Sequence, residues 1–174
     1  WDGGMSFHGG LIGVSVAMIG FARRNRINML SLGDLIAPVV PIGLAFGRLA
    51  NFVNGELWGR PTTMPWGVNF CNDHARALYN SAQCQYMGSG PGDVVRHPSQ
   101  LYEAGLEGIV LLAILSFAVW KVRLLAKPGY VTGLFLLGYG LIRALLETVR
   151  QPDVGLDHLP MGLTMGMILS VPMM

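Results

Sequence analysis

A polar stretch closes an apolar run near the first third of the chain, and this combination limits what the chain can fold into. Residues 35–46 carry no charge, whereas residues 47–59 (GRLANFVNGELWG) add an arginine, two asparagines and a glutamate. A charge inside a bilayer costs about 2.5–3.5 kcal/mol on insertion scales, so such residues face a protein interior and serve a ligand or an ion path. The stretch therefore indicates a functional site at the end of a membrane helix.

Composition supports a membrane location for the whole chain. Of the 174 residues, 52% are hydrophobic and only 13% are charged, and the mean hydropathy is +0.46. These values exclude an ordinary soluble domain. The net charge of +2, with no basic stripe interleaved with aromatics, argues against a nucleic-acid partner. The predicted fold class is an all-α, polytopic transmembrane helix bundle.

Apolar segments separated by polar connectors predict four full spans and a truncated fifth. The four are residues 5–22, 30–58, 97–120 and 129–149. Residues 161–174 are also apolar but fall short of the ~20 residues that a span needs. We expect Pro38 and Pro41 to kink the second span. Because the chain opens at Trp1 without a methionine, we expect residues 1–174 to be a fragment of a single membrane domain.

Basic connectors orient the predicted spans. Arginines follow the first span at residues 23–26, and basic residues follow the third at 121–127. The positive-inside bias places both connectors in the cytoplasm. Residues 60–96 then form an extracytoplasmic loop region, in the periplasm if the source is a bacterium. We expect a disulfide between Cys71 and Cys84 only if this loop region faces an oxidising compartment.

This topology brings most of the intramembrane polar residues to the outer half of the bundle. They are His8, Arg48, Asn51, Asn54, Glu56, Glu103, Glu107, Tyr139, Arg143 and Glu147. Asp34 lies at the inner end, where we expect it to be hydrated at a helix start.

Two arginines on different spans carry the functional argument. Tyr139, Arg143 and Glu147 follow one another at i, i+4 and i+8 and share a helical face. An internal Arg143–Glu147 ion pair would explain that spacing, but Arg48 needs the same explanation at a similar depth. Two guanidiniums in a dry pocket repel unless an anion bridges them, and the planar fork of arginine binds phosphate through two hydrogen bonds. The sequence predicts a site for a phospholipid headgroup.

The remaining polar residues have alternative interpretations. A lone histidine at a helix end is as often an interfacial residue as a base, but His8 lies beside two arginines, which favours proton transfer. Glu56 and Asn54 are predicted to orient Arg48. Glu147 is equally open to a direct role and to pairing with Arg143.

Two further pairs receive structural interpretations. Glu103 and Glu107, one turn apart near the surface, are predicted to be a hydrated or hydrogen-bonded helix start. Arg60 and Arg96 are predicted to be solvated. The sequence contains no Walker loop, no paired cysteine ligands and no assembled Ser-His-Asp triad, so nothing in it favours a nucleotide or metal site.

Residues 47–59 closely resemble the signature of the bacterial prolipoprotein diacylglyceryl transferases. The matching positions are Gly47, Arg48, Asn51, Phe52, Asn54, Glu56 and Gly59. Three further blocks resemble the family in the same order along the chain: residues 8–11 (HGGL), 97–103 (HPSQLYE) and 139–153. Together the blocks cover nearly the whole chain.

The resemblance implies a fold, a location and a reaction. Members of this family are inner-membrane proteins of bacteria with seven helices, which implies that the first two are missing here. They transfer the diacylglyceryl unit of phosphatidylglycerol to the thiol of the lipobox cysteine in the signal peptide of a preprolipoprotein, and glycerol phosphate is released. The active site would lie toward the periplasmic half of the membrane. No cofactor or metal is implied, because phosphatidylglycerol carries its own leaving group.

The resemblance also implies residue roles. His8 would take the thiol proton, and Arg48 and Arg143 would stabilise the departing phosphate. Asn51 and Tyr139 would hydrogen-bond the headgroup. Glu56 and Glu147 would hold the arginines, and Asn54 and Gly59 complete the predicted substrate-binding set.

A lipid or anion transporter, or a flippase subunit, is the alternative function. Such a protein is expected to contain repeated halves with paired broken helices, and the sequence contains no internal repeat. A purely structural membrane subunit would not need outer-half arginines on two helices.

Overall fold

The computed structural model describes residues 7–70 and 95–150, apart from the side chains of residues 7, 8 and 11. The described part contains five longer helices and a short 3-10 helix, Leu124–Ala126. The longer helices are α1 (Phe7–Asn25), α2 (Met29–Ile36), α3 (Val40–Asn54), α4 (Ser99–Trp120) and α5 (Tyr130–Leu146). These residues confirm the all-α class. Cys71, Cys84 and the predicted last helix at 161–174 lie outside the described residues.

Among the described residues, α4 is long and apolar enough to cross a membrane by itself. Helices α2 and α3 together make a second candidate, bent by 43° at the break between them. Pro38 and Pro41 stand at that break, and proline removes a helical hydrogen bond and clashes with the preceding turn. The predicted kink is confirmed.

Helix α3 ends at Asn54, four residues before the predicted second span ends at Trp58. Gly55 adopts a left-handed conformation with φ of 68°, which glycine reaches without steric cost. The Gly55 N–H donates to the Phe52 carbonyl at 3.1 Å, and the Glu56 N–H donates to the Asn51 carbonyl at 2.9 Å. This Schellman arrangement satisfies the last carbonyls of the helix and turns residues 56–59 back across the bundle.

Helix α4 contains a π-helical segment, Ala104–Val110, and lies very close to α3 there. A Cβ added at Gly108 would lie only 2.6 Å from the Cβ of Ala45. Small residues let two helix backbones approach in this way. Wide π turns are frequent at functional sites, and this one positions Glu107.

The apolar core joins α2, α4 and α5. Its buried residues are Ala37, Leu111, Leu115 and Val131, with Leu134, Phe135 and Tyr139 among the side chains packed against them.

Asp34 is buried below this core, not hydrated as predicted. It is 1% exposed, and its carboxylate accepts hydrogen bonds from Gly129 N at 2.6 Å and from Thr132 N and Oγ1 at 2.8 Å. A carboxylate at the first backbone N–H groups of a helix caps it and complements its dipole. Asp34 therefore attaches α2 to the start of α5.

At the other end of the bundle, backbone hydrogen bonds join the ends of three helices. Gly59 N donates to the His97 carbonyl, and Arg60 N donates to the Val149 carbonyl, both at 2.9 Å. Arg96 is 6% exposed and donates from Nη1 to the Gly59 carbonyl at 3.2 Å, so the prediction that it is solvated is wrong. Burial lowers the pKa of the Arg96 guanidinium. Arg60 is exposed, as predicted.

Candidate functional site

Charged side chains from α3, α4 and α5 meet in one largely buried group, which we call the charged cluster. Its members are Arg48, Glu103, Glu107, Arg143 and Glu147. Helix α3 supplies the first arginine, α4 supplies the two glutamates one turn apart, and α5 supplies the second arginine with the last glutamate.

The two glutamates of α4 join the two arginines. Arg48 Nε lies 2.7 Å from Glu103 Oε2, and Arg143 Nη1 lies 3.4 Å from Glu103 Oε1. Glu107 lies 3.7 Å from Arg48 Nε and 3.5 Å from Arg143 Nη1. The arginines therefore meet at the same two carboxylates, as their predicted convergence requires.

The prediction for Glu103 and Glu107 themselves is wrong. They are 1% and 0% exposed and are not a hydrated helix start. In the structure, these carboxylates are the anions that bridge the guanidiniums. From the sequence, a phosphate group is predicted in that position. The sequence does contain an indication of this pairing, because two acidic residues at the start of an apolar span must be paired or buried against donors.

The predicted Arg143–Glu147 pair is present but does not account for Arg143. Arg143 Nη2 lies 3.9 Å from Glu147 Oε2, a long contact between residues one turn apart on α5. The same guanidinium also contacts both glutamates of α4. The ion pair with Glu147 within α5 is therefore only one of the contacts that the Arg143 guanidinium makes with acidic side chains.

The charged cluster retains unused bonding capacity. Within the described residues, both carboxylate oxygens of Glu107, Oε1 of Glu103 and Oε2 of Glu147 are buried without a hydrogen-bond donor in good geometry. Buried polar atoms without partners are rare in native proteins and mark strain or a site for another group. Three carboxylates face two guanidiniums here, so the cluster is balanced neither in charge nor in hydrogen bonds.

Arg48 is the member most accessible to a ligand. Its closest contact is made through Nε, and the side chain remains 17% exposed, against 11% for Arg143. The Arg48 side chain is therefore partly exposed while Glu103 holds its guanidinium in place. Asn51, half-buried one turn further along α3, lies on the same helical face.

The residues at and just after the end of α3 do not hold Arg48. Asn54, the last residue of α3, and Glu56 are exposed. Glu103, not Glu56, pairs with Arg48, so the predicted orienting role of Glu56 is wrong. The Glu56 backbone carbonyl instead accepts a hydrogen bond from the buried Gln100 side chain, and the neighbouring Ser99 hydroxyl donates to the Leu57 carbonyl at 3.1 Å. The start of α4 is thereby tied to the turn after α3.

Gly59 has a structural reason to be glycine. A Cβ at this position would lie 2.7 Å from the His97 carbonyl oxygen and 2.8 Å from that of Val149. Any larger residue would separate the backbones that meet there. Its contact with substrate stays a prediction.

Tyr139 and His8 are the last two predicted site residues. Tyr139 is half-buried one turn before Arg143 and stacks on Phe135, with ring centroids 6.0 Å apart. Its ring packs on the apolar core beside the charged cluster. His8 lies in α1, which packs against α2, and its side chain is outside the described part of the structure.

The chain is similar to known proteins that share one family name. The family model for prolipoprotein diacylglyceryl transferase matches residues 1–174. A protein from Caulobacter vibrioides (strain NA1000 / CB15N), named phosphatidylglycerol--prolipoprotein diacylglyceryl transferase, is 57% identical over 173 residues, which cover 99% of this chain and 56% of the relative.

Two further relatives bear the same name. The one from Phenylobacterium zucineum (strain HLK1) is 59% identical over 175 residues, covering 100% of this chain and 58% of the relative. The one from Rhizobium leguminosarum bv. trifolii (strain WSM2304) is 53% identical over 176 residues, covering 99% and 56% respectively. The chain thus spans a little more than half the length of these relatives.

Proposed function

The chain belongs to the prolipoprotein diacylglyceryl transferase family, and we propose that its protein transfers the diacylglyceryl group of phosphatidylglycerol to the lipobox cysteine of preprolipoproteins. The observation that carries this proposal is the meeting of Arg48 and Arg143, from separate helices, at one buried pair of carboxylates. Guanidiniums held in that way are positioned to receive a phosphate oxygen.

The proposal includes a membrane arrangement. The four apolar segments are full spans of a bacterial inner-membrane protein, within a bundle of the seven-helix kind. The basic residues after α1 and after α4 lie in the cytoplasm. The charged cluster then lies in the outer half of the bilayer, toward the periplasm, where phosphatidylglycerol and a translocated signal peptide can both reach it.

Before lipid binds, Glu103 and Glu107 fix the directions of the two guanidiniums. Electrostatic catalysis is most effective when the donors are already aimed, because no reorganisation is then needed as charge develops. The phosphodiester joins this cluster at the accessible part of Arg48 and near Arg143. Asn51 and Tyr139 hydrogen-bond the headgroup.

The chemical step starts with the substrate cysteine. A free thiol has a pKa of about 8.5, so little thiolate exists at neutral pH and a base helps. His8 takes the thiol proton. The thiolate then attacks the glyceryl carbon that bears the phosphate, the carbon–oxygen bond breaks, and glycerol phosphate leaves with the electron pair. Arg48 and Arg143 stabilise the negative charge that grows on the departing oxygen.

The direct test is the mass of a lipobox peptide after incubation with membranes that contain the protein and phosphatidylglycerol. We expect the cysteine to gain one diacylglyceryl group, and a matched peptide with Cys→Ser to stay unchanged. Movement of lipid between leaflets without a covalent product would favour the transporter instead.

His8 has its own test. Replacing it with asparagine should reduce turnover by about 100-fold or more, the range in which a general base contributes, while phosphatidylglycerol still binds. Equilibrium binding of the labelled lipid separates the two effects. An active His8→Asn protein would assign the base to another residue.

A further inference from the structure

An apolar groove lies on the exposed surface between α4 and α5, next to the charged cluster. Its volume is about 700 Å³, within the range of small-molecule sites. Leu106, Ile109 and Val110 of α4 form one wall, and Leu145 and Leu146 of α5 form the other. Ile109 and Leu145 are 67% and 68% exposed, so within the described residues the groove is open to whatever surrounds the bundle.

One end of the groove carries a chain of hydrogen bonds. Trp66 Nε1 donates to the Tyr102 hydroxyl at 2.7 Å, and that hydroxyl lies 3.3 Å from His97 Nδ1. An indole N–H can only donate, so the Tyr102 oxygen accepts from Trp66, while the contact with His97 Nδ1 fits either direction of donation. In the tautomer that accepts from Tyr102 at Nδ1, the neutral imidazole carries its proton on Nε2. His97 lines the groove, and in this tautomer it offers one more N–H donor there.

An apolar groove with a donor at its rim matches an amphiphile. Tryptophan and tyrosine collect at the membrane–water interface, so the rim is expected at the depth of phospholipid ester carbonyls and the walls at the depth of acyl chains. Leu106 and Leu146 immediately precede Glu107 and Glu147 in the chain. The groove and the charged cluster thus occupy adjoining faces of the same two helices.

We propose that this groove holds one acyl chain of phosphatidylglycerol, with His97 Nε2–H donating to the adjacent ester carbonyl. The proposal rests on the proposed function, because the headgroup of the same lipid would lie at Arg48 and Arg143. It adds an acyl-chain site and a hydrogen-bonding role for His97, with Tyr102 and Trp66 as positioning residues.

The first experiment narrows the groove. Ile109→Trp should raise the KM for a long-chain phosphatidylglycerol about tenfold, as overpacking a filled site would, and leave the KM for a dihexanoyl lipid and kcat nearly unchanged. Ile114→Trp is the matched control, because Ile114 is an exposed isoleucine of the same helix outside the groove. An equal effect on both lipids, or a raised KM for the lipobox peptide alone, would overturn the proposal.

The second experiment tests the donor at the rim. The wild-type protein should prefer ester-linked phosphatidylglycerol over its diether analogue, which lacks the carbonyls, by about threefold to tenfold, the worth of one hydrogen bond. His97→Leu should abolish that preference. If the preference for the ester-linked lipid persisted in His97→Leu, His97 would not be the donor to the ester carbonyl.

The closing experiment measures lipid binding apart from lipidation. In unbrominated detergent, phosphatidylglycerol brominated near the ester end of its acyl chains should quench Trp66 more than phosphatidylcholine brominated in the same way. The Trp66 signal is the difference between the wild-type protein and Trp66→Phe. Selective quenching without any lipidated peptide in a parallel assay would contradict the proposed function and support the groove. Normal lipidation with equal quenching by both lipids would contradict the groove and support the proposed function.

Discussion

The buried carboxylates of Asp34 and Glu107 lie near opposite ends of α5 and differ in their hydrogen bonding. Asp34, at the start of the helix, accepts three hydrogen bonds of 2.6–2.8 Å from neutral donors. Glu107, near its other end, is equally buried, yet its closest cationic nitrogens lie at 3.5 and 3.7 Å, and neither of its oxygens has a donor in good geometry among the described residues.

Under the proposed function, this difference separates a structural carboxylate from one that serves the site. Asp34 has little bonding capacity left for a ligand, so its burial serves to attach α2 to α5. The charged cluster keeps carboxylate oxygens without a donor and a partly exposed arginine, so its hydrogen bonding is incomplete among the described residues. Substitutions at Asp34 should therefore change stability, and substitutions in the cluster should change activity.

Arginine replacements give the largest expected effect. Arg48→Lys and Arg143→Lys keep the positive charge but lose the planar fork, and we expect each to lower kcat about 100- to 1000-fold, as loss of one transition-state donor does. The measurement is the rate of peptide lipidation, with Arg24→Lys, an exposed residue of α1, as the control. Near-normal rates in both variants would refute the phosphate clamp.

Glu107→Gln tests the carboxylate side of the cluster. The amide has nearly the same shape but cannot hold two guanidiniums by charge, so we expect kcat/KM to fall about tenfold or more through misplaced arginines. The midpoint of thermal unfolding in detergent should change little, because two carboxylates remain for two arginines. A large loss of stability with unchanged kcat/KM would make Glu107 a structural residue like Asp34.

Gly108→Ala tests the close approach that places Arg48. The added methyl would press on Ala45, three residues before Arg48, and overpacking of this kind costs about 1–3 kcal/mol. We expect a lower unfolding temperature and a severalfold loss of kcat/KM. Gly43→Ala is the control, because a Cβ there would meet nothing within 4 Å. If Gly108→Ala and Gly43→Ala had the same unfolding temperature and the same kcat/KM, the distance between α3 and α4 would not determine the geometry of the charged cluster.

Asp34→Asn should have the smallest effect on activity. The amide group turns a donor toward at least one of three donors, which leaves buried groups unpaired and costs about 1–3 kcal/mol of stability. The kcat of the folded fraction should match the wild type. A reduced kcat at full folding would mean that the two ends of α5 are coupled.

Much of the helical framework was predictable, and the pairing of acids was not. The apolar segments, the bend at Pro38 and the convergence of Arg48 with Arg143 follow from local pattern and charge bias. The partners of Asp34 lie 95 and 98 residues away, and those of Glu103 come from two other helices. Local sequence could not assign such partners, and for the same reason it misassigned Glu56 and Arg96.

The π-helical segment and the Schellman turn show the same limit at shorter range. The residue type of Gly55 is typical of a helix end, although the predicted second span continues through it. The widened turn at Ala104–Val110 contains Gly108, which packs against Ala45, and Glu107, which meets arginines of two other helices. Neither of these contacts is visible in α4 alone.

Phosphorus–nitrogen dipolar couplings would show whether Arg48 and Arg143 bind the same lipid phosphate. They can be recorded by solid-state NMR on membranes with guanidinium-labelled protein and phosphatidylglycerol. We expect couplings from the lipid phosphorus to both guanidiniums, with one lost in Arg48→Lys and the other lost in Arg143→Lys. Coupling to neither arginine, or a signal that survives both substitutions, would refute a shared phosphate site.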